Sequence, residues 1–401
     1  WSRSYSKLYK MKDKDTNLTL LLVLKDRPYF TERLMQFLSF MEYPYKVLIA
    51  DGGKNKDIER LLSDGNNYKG VEYEYVRYPH DDTVDDFHKK MADVVDRITT
   101  PITSVLDNDD HLLLEGYRRC LEYLKDNPTY SSARGWMSGM QVLNTPLFGD
   151  RAHGVCGPLA IHKNMYDKYT NDIVGDTARD RVTKQTKQFH GNWHNLARTN
   201  HIQACWKMLN VIQPKNMRFT EQITGYLNTT WGDSHRGEFP WMLHQSSERV
   251  QLGEGGSEDL NSHFPDQRDW VKMPSWAEDF NKMTEVMGVA ISEYDGTPVA
   301  EAMEYFTELY PSKLKESTDQ NLSLLFKKNI GNAKKLGYDE SRIEKLQDIV
   351  RKYNVKDIPQ VGEIKGSDVS DFFETTLLAN FLVGGIRQYD GTRYPYEGNL
   401  L

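Results

Sequence analysis

The sequence predicts an α/β fold, with a nucleotide-binding half built on a parallel sheet and a mainly helical C-terminal region. Three observations lead there. Strand-sized apolar runs alternate with helix-period segments through residues 18–106. Acidic residues stand directly after two of those runs, at Asp51 and at Asp107. Beyond residue 275 the apolar positions keep helical spacing. Strands that alternate with helices imply parallel pairing through right-handed crossovers.

Each element can be read in turn. Residues 18–24, Leu-Thr-Leu-Leu-Leu-Val-Leu, are apolar enough for a central strand. After the turn Lys25-Asp26-Arg27-Pro28, Leu34, Phe37, Leu38 and Met41 fall at i, i+3, i+4 and i+7, one face of a helix. Residues 45–50 form a second strand ending at Asp51-Gly52-Gly53, and a short helix begins at Ile58. Residues 71–76 alternate and read as a third strand. Val84, Phe87, Met91, Val94 and Ile98 mark the helix that leads into a buried strand at 102–106.

Past Asp107-Asn108-Asp109-Asp110, Leu114, Tyr117, Leu121 and Leu124 give an amphipathic helix stopped by Asn127-Pro128. Residues 130–143 read as strand pieces interrupted by Gly135 and Gly139, and 144–157 as loop. Ile202, Cys205, Trp206, Leu209 and Ile212 share a helix face, and another helix begins near Glu221. The Gly-, Ser- and acid-rich stretch 246–275 reads as linker or loop. The expected division is therefore residues 1–245 (a nucleotide half at about 17–110 and an acceptor half at about 111–245), the linker, and a helical region at 276–401.

Composition narrows the function classes. A net charge of −7 with no basic stripe argues against a nucleic-acid partner. No apolar run reaches membrane-spanning length, and the opening Trp1-Ser2-Arg3-Ser4 has no signal-peptide core. Cys120, Cys156 and Cys205 are too few and scattered for a disulfide framework or a thiolate zinc site. The expected location is a reducing cytoplasm, with peripheral contact at the inner membrane face as the other setting.

The acidic turn carries the chemistry. In an open α/β sheet, ligands collect outside the carboxyl ends of the strands. Asp107 and Asp109, two residues apart, offer oxygen ligands to one divalent cation. A cation there neutralises a diphosphate and stabilises it as a leaving group. Asp51, in its Gly-Gly turn, should face the same crevice and accept hydrogen bonds from a base or ribose.

Taken together, the apolar run 20–24 with Arg27-Pro28, Val47-Leu48-Ile49-Ala50-Asp51-Gly52-Gly53 and Val105-Leu106-Asp107-Asn108-Asp109-Asp110 resemble GT-A glycosyltransferases of the family 2 kind, over about residues 17–245. The resemblance implies a Rossmann-like mixed sheet flanked by helices and an inverting, metal-dependent enzyme of glycan or polysaccharide synthesis. Its donor would be a UDP- or GDP-sugar, and its acceptor a glycan, lipid-linked or protein hydroxyl. It assigns Asp51 to the base, and Asp107 and Asp109 to ribose, phosphate and a Mn²⁺ or Mg²⁺ ion. Arg27 and Asn108 join the nucleotide-sugar set.

Glu221 is the expected general base, with Thr220 as its helix cap. His244, ahead of His235, is expected to complete the metal shell. Asp110 is expected to cap the following helix, Lys89 and Lys90 to lie on a solvated helix face, and the i, i+4 pair His190 and His194 to be structural. Residues 246–256 read as a lid or a plain linker. The apolar stripes of the C-terminal helices are most simply internal core; acceptor binding, dimerisation and docking to a membrane assembly are the other uses. Two competing functions share this layout. A nucleotidyltransferase is disfavoured because Lys25-Asp26-Arg27-Pro28-Tyr29 has no glycine, and an inactive glycan-binding scaffold would keep the fold without turnover.

Overall fold

The computed structural model describes residues 14–25, 27–54, 56–63, 68–143, 155, 157–162, 171–189, 191, 193–245, 270–311, 320–365, 371–384, 386–387 and 393–394. Four strands form the parallel part of the sheet: β1 (Leu18–Leu24), β2 (Lys46–Asp51), β3 (Tyr73–Arg77) and β4 (Ile102–Leu106). They are joined by helices α1 (Pro28–Phe40), α2 (Asp57–Leu62) and α3 (Val84–Val94).

The remaining strands are β5 (His111–Leu112), β6 (Tyr130–Val142), β7 (Leu159–His162), β8 (Leu196–Arg198) and β9 (Asp233–Gln245). The order across the sheet is β3-β2-β1-β4-β8-β6-β9-β5, with β7 on β6. Helix α4 (Leu114–Asp126) follows β5, α5 (Ala178–Lys187) precedes β8, and α6 (Thr199–Ile212) and α7 (Met217–Thr230) stand between β8 and β9. This is the mixed α/β sheet flanked by helices that the sequence predicts.

Strand direction decides what meets at the edge of this sheet. β8 runs antiparallel to β4, β6 antiparallel to β8, and β9 parallel to β6. β9 therefore points the same way as β4, and its last residues reach the edge where β4 ends. β8 and β5 run the opposite way and start at that edge. Leu24 pairs with Asp51, and Leu22 pairs with Leu106, so the carboxyl ends of β1, β2 and β4 also lie there.

Both faces of the sheet are covered, which is why β1 reads as a continuous apolar run. Leu20, Leu22, Val47, Ile49 and Leu106 face one core with α1 and α4. Leu21, Leu48, Ala50 and Val105 face the other, with α3, α6 and α7.

The C-terminal helices are α8 (Trp276–Asp295), α9 (Val299–Leu309), α10 (Gln320–Leu336), α11 (Glu340–Lys352) and α12 (Asp371–Gly384), followed by the short pair β10 (Ile386–Arg387) and β11 (Arg393–Tyr394). α8 shares the second core, burying Trp276, Phe280, Met283, Val286, Met287 and Ile291. It also ties down two helix starts. Asp279 accepts from the Lys215 and Asn216 backbone N–H groups at 2.9 and 3.2 Å, just before α7. Asp295 accepts from Ala178 and Arg179 at 2.7 and 3.2 Å, on the first turn of α5. Carboxylates at helix N-termini satisfy orphan donors and complement the dipole.

Several local expectations are corrected. Residues 130–142 form one strand, whose irregularities are register shifts against β9. α5, β8 and β9 have no counterpart in the sequence reading. The segment before Glu221 joins helix to helix, and its cap is Asn216, whose side chain accepts from Arg218 N–H at 2.9 Å. Thr220 is buried instead, 2.9 Å from His88 Nε2.

Cys120 and Cys205 are buried free thiols, and Cys156 lies outside the described residues. Among the described residues, no helix is long and apolar enough to cross a membrane.

Two buried histidines give the fold a pH dependence. Burial lowers the pKa of His88 and of His201 to about 4, against an ordinary value of about 6.5. Both stay neutral in the native state while the unfolded chain takes up protons, so their contribution is complete above pH ~6.5 and is lost as pH falls towards 4. Replacing both, His88→Gln with His201→Gln, should flatten the decline of the melting midpoint between pH ~6.5 and ~4.5 relative to wild type. Parallel wild-type and variant profiles over that range would contradict this account.

Candidate active site

The crevice at the carboxyl edge of β1, β2 and β4 gathers most of the expected residues. Asp51 ends β2 with no exposed surface. Tyr75 Oη donates to its Oδ2 at 2.7 Å, and the Gly53 N–H donates to its Oδ1 at 2.7 Å. Burial raises its pKa against these hydrogen bonds.

Beside it, Gly52 packs so closely that a Cβ would lie 2.0 Å from Asp81 Oδ2. Asp81 forms an ion pair with Lys90, and both are buried. The Asp81 carbonyl also accepts from Lys25 Nζ. Lys90 is thus a core ion-pair partner rather than part of a solvated face, whereas Lys89 is exposed and pairs with Asp86. Asp81 has no signal in the sequence beyond a polar turn after β3.

Arg27 sits at the start of α1 with φ 61° and ψ 51°, in the left-handed region. Such backbone costs a non-glycine residue about 1–3 kcal/mol and persists only where neighbours over-determine it. Its guanidinium lies 2.8 Å from Asp109 Oδ2 and stacks over Phe30 at 4.5 Å. Its carbonyl accepts from Asn108 Nδ2 at 3.3 Å, and Asn108 also donates to Thr31 Oγ1 at 3.0 Å. The Asp109 carbonyl accepts from buried Arg33 at 2.7 Å. Asn108 therefore fastens the acidic turn to α1.

Asp110 does not cap α4. The N-cap position is Leu113, and the Leu114 N–H is satisfied by Glu374 Oε2 at 2.8 Å. Asp110 is fully buried and turns towards β9, because β5 pairs His111 with Leu243 and so sets Asp110 beside His244. His244 Nδ1 lies 2.9 Å from Asp110 Oδ1, which also accepts the Gln245 N–H at 2.9 Å. His194, just before β8, brings Nε2 to 3.7 Å from Asp110 Oδ2. Its Nδ1 lies 2.9 Å from the Val105 carbonyl.

These charges shift one another. Burial raises Asp107 above its ordinary range, against the pull of His194. Burial also disfavours an ionised Asp110, yet His244 holds it below its ordinary value. For His244, burial opposes the charge, but Asp110, Asp109 and Asp107 lift its pKa to about 9.

One carboxylate and two imidazoles, from Asp110, His194 and His244, place ligand atoms within 4.8 Å of one another. The donor set fits a divalent cation. His244, the residue the sequence reading names for a metal shell, and His194, expected to be structural, both lie in this cluster. His235 is at the other end of β9, stacked on Tyr123 at 3.5 Å with Asp172 3.0 Å from its Nδ1. It is not brought to the site.

Glu221 stands just past the first turn of α7, part-exposed, with Arg218 3.0 Å from Oε2. A Cβ on Gly191 would lie 3.2 Å from its Oε1, which puts Glu221 against the segment that leads into His194. Residues His153 and His190 and the stretch 246–269 lie outside the described residues.

No known family matches the chain, and no curated protein matches it. Among solved structures, it is similar to S. aureus TarS 1–349 in complex with UDP-GlcNAc, at 11% identity and a TM-score of 0.47, over 85% of this chain and 90% of that one. A longer structure of S. aureus TarS matches at 11% identity and a TM-score of 0.45, over 87% of this chain. The match spans 59% of that longer chain.

The Arg27–Asp109 pair yields a direct test. Both side chains are mostly buried, so removing either partner leaves the other charge poorly compensated. A double-mutant cycle with Arg27→Ala and Asp109→Ala, read by denaturant unfolding, should give a favourable coupling of about 0.5–3 kcal/mol. Additive single effects would show that the ion pair contributes nothing to holding the turn.

Proposed function

We propose that the chain is a glycosyltransferase that moves a sugar from a nucleoside diphosphate sugar to an acceptor hydroxyl, with inversion at the anomeric carbon. The observation that carries this reading is the convergence of Asp51, Arg27, the 107–110 turn and His244 on one sheet edge. That edge, where the order steps from β1 to β4 on one side and to β2 on the other, is where open α/β sheets bind nucleotides.

In this reading the base and ribose lie over the end of β2, beside Asp51 and Asp107. The Arg27 guanidinium, already held at the mouth of the crevice by Asp109, faces the diphosphate, for which its planar fork is suited. A divalent cation, Mn²⁺ or Mg²⁺ on the sequence reading, supplies charge neutralisation of the departing diphosphate when bound. Glu221 accepts the proton of the acceptor hydroxyl as the new bond forms. Arg218 orients its carboxylate, and α8 fixes the start of its helix through Asp279. The acceptor is a glycan, lipid-linked or protein hydroxyl.

The test is a screen of UDP- and GDP-sugars with Mn²⁺, following release of the nucleoside diphosphate and the anomeric configuration of the product by NMR. Turnover with an inverted anomer is expected. Glu221→Gln should lower kcat by about 10²–10⁴-fold while leaving the donor KM nearly unchanged. Full turnover in Glu221→Gln would remove the base assignment, and a retained anomer would remove single displacement. Release of pyrophosphate from a nucleoside triphosphate and a sugar phosphate would replace the reading with nucleotidyl transfer.

A further inference from the structure

We infer that the cation of this site is held by Asp110, His194 and His244, and that this nitrogen-rich set selects a transition-metal ion over Mg²⁺. The inference deepens the glycosyltransferase reading by naming the metal class, and rests on that reading for the purpose of the ion. It moves the ligand role from Asp107 and Asp109 to Asp110 and His194.

The spacing supports a shared ion. Two ligands each about 2.0–2.2 Å from one metal, at octahedral to tetrahedral angles, stand roughly 3.0–3.5 Å apart. Asp110 Oδ1 and His244 Nδ1 are 2.9 Å apart, and Asp110 Oδ2 and His194 Nε2 are 3.7 Å apart. Small side-chain adjustments close the three on a single centre.

His194 is oriented as a metal ligand is. Val105 O can only accept, so Nδ1 donates to it, which leaves Nε2, 3.7 Å from Asp110 Oδ2, as the nitrogen for a metal. Metal-bound histidines characteristically anchor their other nitrogen in this way, on a carboxylate or backbone carbonyl. The residue is further fixed by Ser104, whose Oγ donates to the His194 carbonyl at 2.8 Å. Asp109 is the poorer candidate because a guanidinium already occupies its carboxylate at 2.8 Å. A second cation at that oxygen would meet a fixed positive charge.

Three protein ligands leave coordination positions open, the arrangement of catalytic rather than structural sites. Those positions are available to diphosphate oxygens. Two imidazoles suit Fe²⁺, Co²⁺, Ni²⁺ or Zn²⁺, with Mn²⁺ the weakest binder of that series, whereas Mg²⁺ takes oxygen ligands and dehydrates reluctantly.

The experiment is Mn²⁺ titration of the metal-stripped full chain, with pulsed EPR to count nitrogen couplings. Wild type should show two imidazole nitrogens, and a large excess of Mg²⁺ should leave them in place. His194→Ala should keep one nitrogen and weaken Mn²⁺ binding by about tenfold or more. Asp109→Ala should keep both. An absence of nitrogen coupling in wild type, which needs no variant to fold, would overturn the inference. So would an unchanged nitrogen count in His194→Ala, loss of Mn²⁺ binding in Asp109→Ala, or ready displacement by Mg²⁺. Two nitrogens without any sugar-nucleotide turnover would end the glycosyltransferase reading and leave this one standing. Efficient transfer with Mg²⁺ alone would do the reverse.

Discussion

The turn after β4 packs three carboxylates into four residues, and two of them, Asp109 and Asp110, are 8% and 0% exposed. Charges buried this deeply must be compensated or they neutralise by taking up protons. Each compensating group comes from a different part of the chain: Arg27 from the loop after β1, His194 from the segment before β8, and His244 from the end of β9. The fold satisfies the turn only because the mixed strand directions deliver all of these segments to one edge. The left-handed backbone of Arg27 is part of the same solution, since it aims the guanidinium at Asp109 and leaves its carbonyl free for Asn108.

A layer of hydrogen bonds holds these groups in place. Ser104 joins the β4 backbone to the His194 carbonyl and to Tyr117 on α4. Arg33, fully buried, bridges the Asp109 carbonyl and Gln245 Oε1, so the acidic turn and the end of β9 share one donor. On the far side, α8 fixes the starts of α5 and α7, and Glu221 rides on the latter. The C-terminal helices thus bear on the position of the candidate base through packing and end-capping, in addition to covering the core.

The parallel half was legible because its signals are local. Apolar runs of strand length, helix-period faces and an acid after each of β2 and β4 need no knowledge of the rest of the chain, and β1, β2, β4 and the helices between them lie where those patterns put them. Asp51, Asp107, Asp109 and Arg27 converge on one edge for the same reason. The second half was poorly legible. β9, Asp-Ser-His-Arg-Gly-Glu-Phe-Pro-Trp-Met-Leu-His-Gln, carries no clean alternation, because its register against β6 shifts at several points. β8 has three residues, too few for a periodic signal. His194 looked structural because its partner Asp110 is distant in sequence and the pairing arises only once β4 and β8 are adjacent. Asp110 looked like a cap because it precedes a helix; the helix takes its cap from Glu374 instead, 260 residues away. Long-range pairings of this kind have no sequence-local trace.

The central claim is that one sheet edge binds a sugar nucleotide through its diphosphate at a cation beside Asp110. A crystal structure of the protein soaked with Mn²⁺ and a nucleoside diphosphate measures this most directly. The account predicts an anomalous peak bonded to Asp110 and to diphosphate oxygens, with the base lying over the end of β2 at Asp51. A nucleotide seated away from the carboxyl ends of β1, β2 and β4, or a metal peak distant from the 107–110 turn, would contradict it.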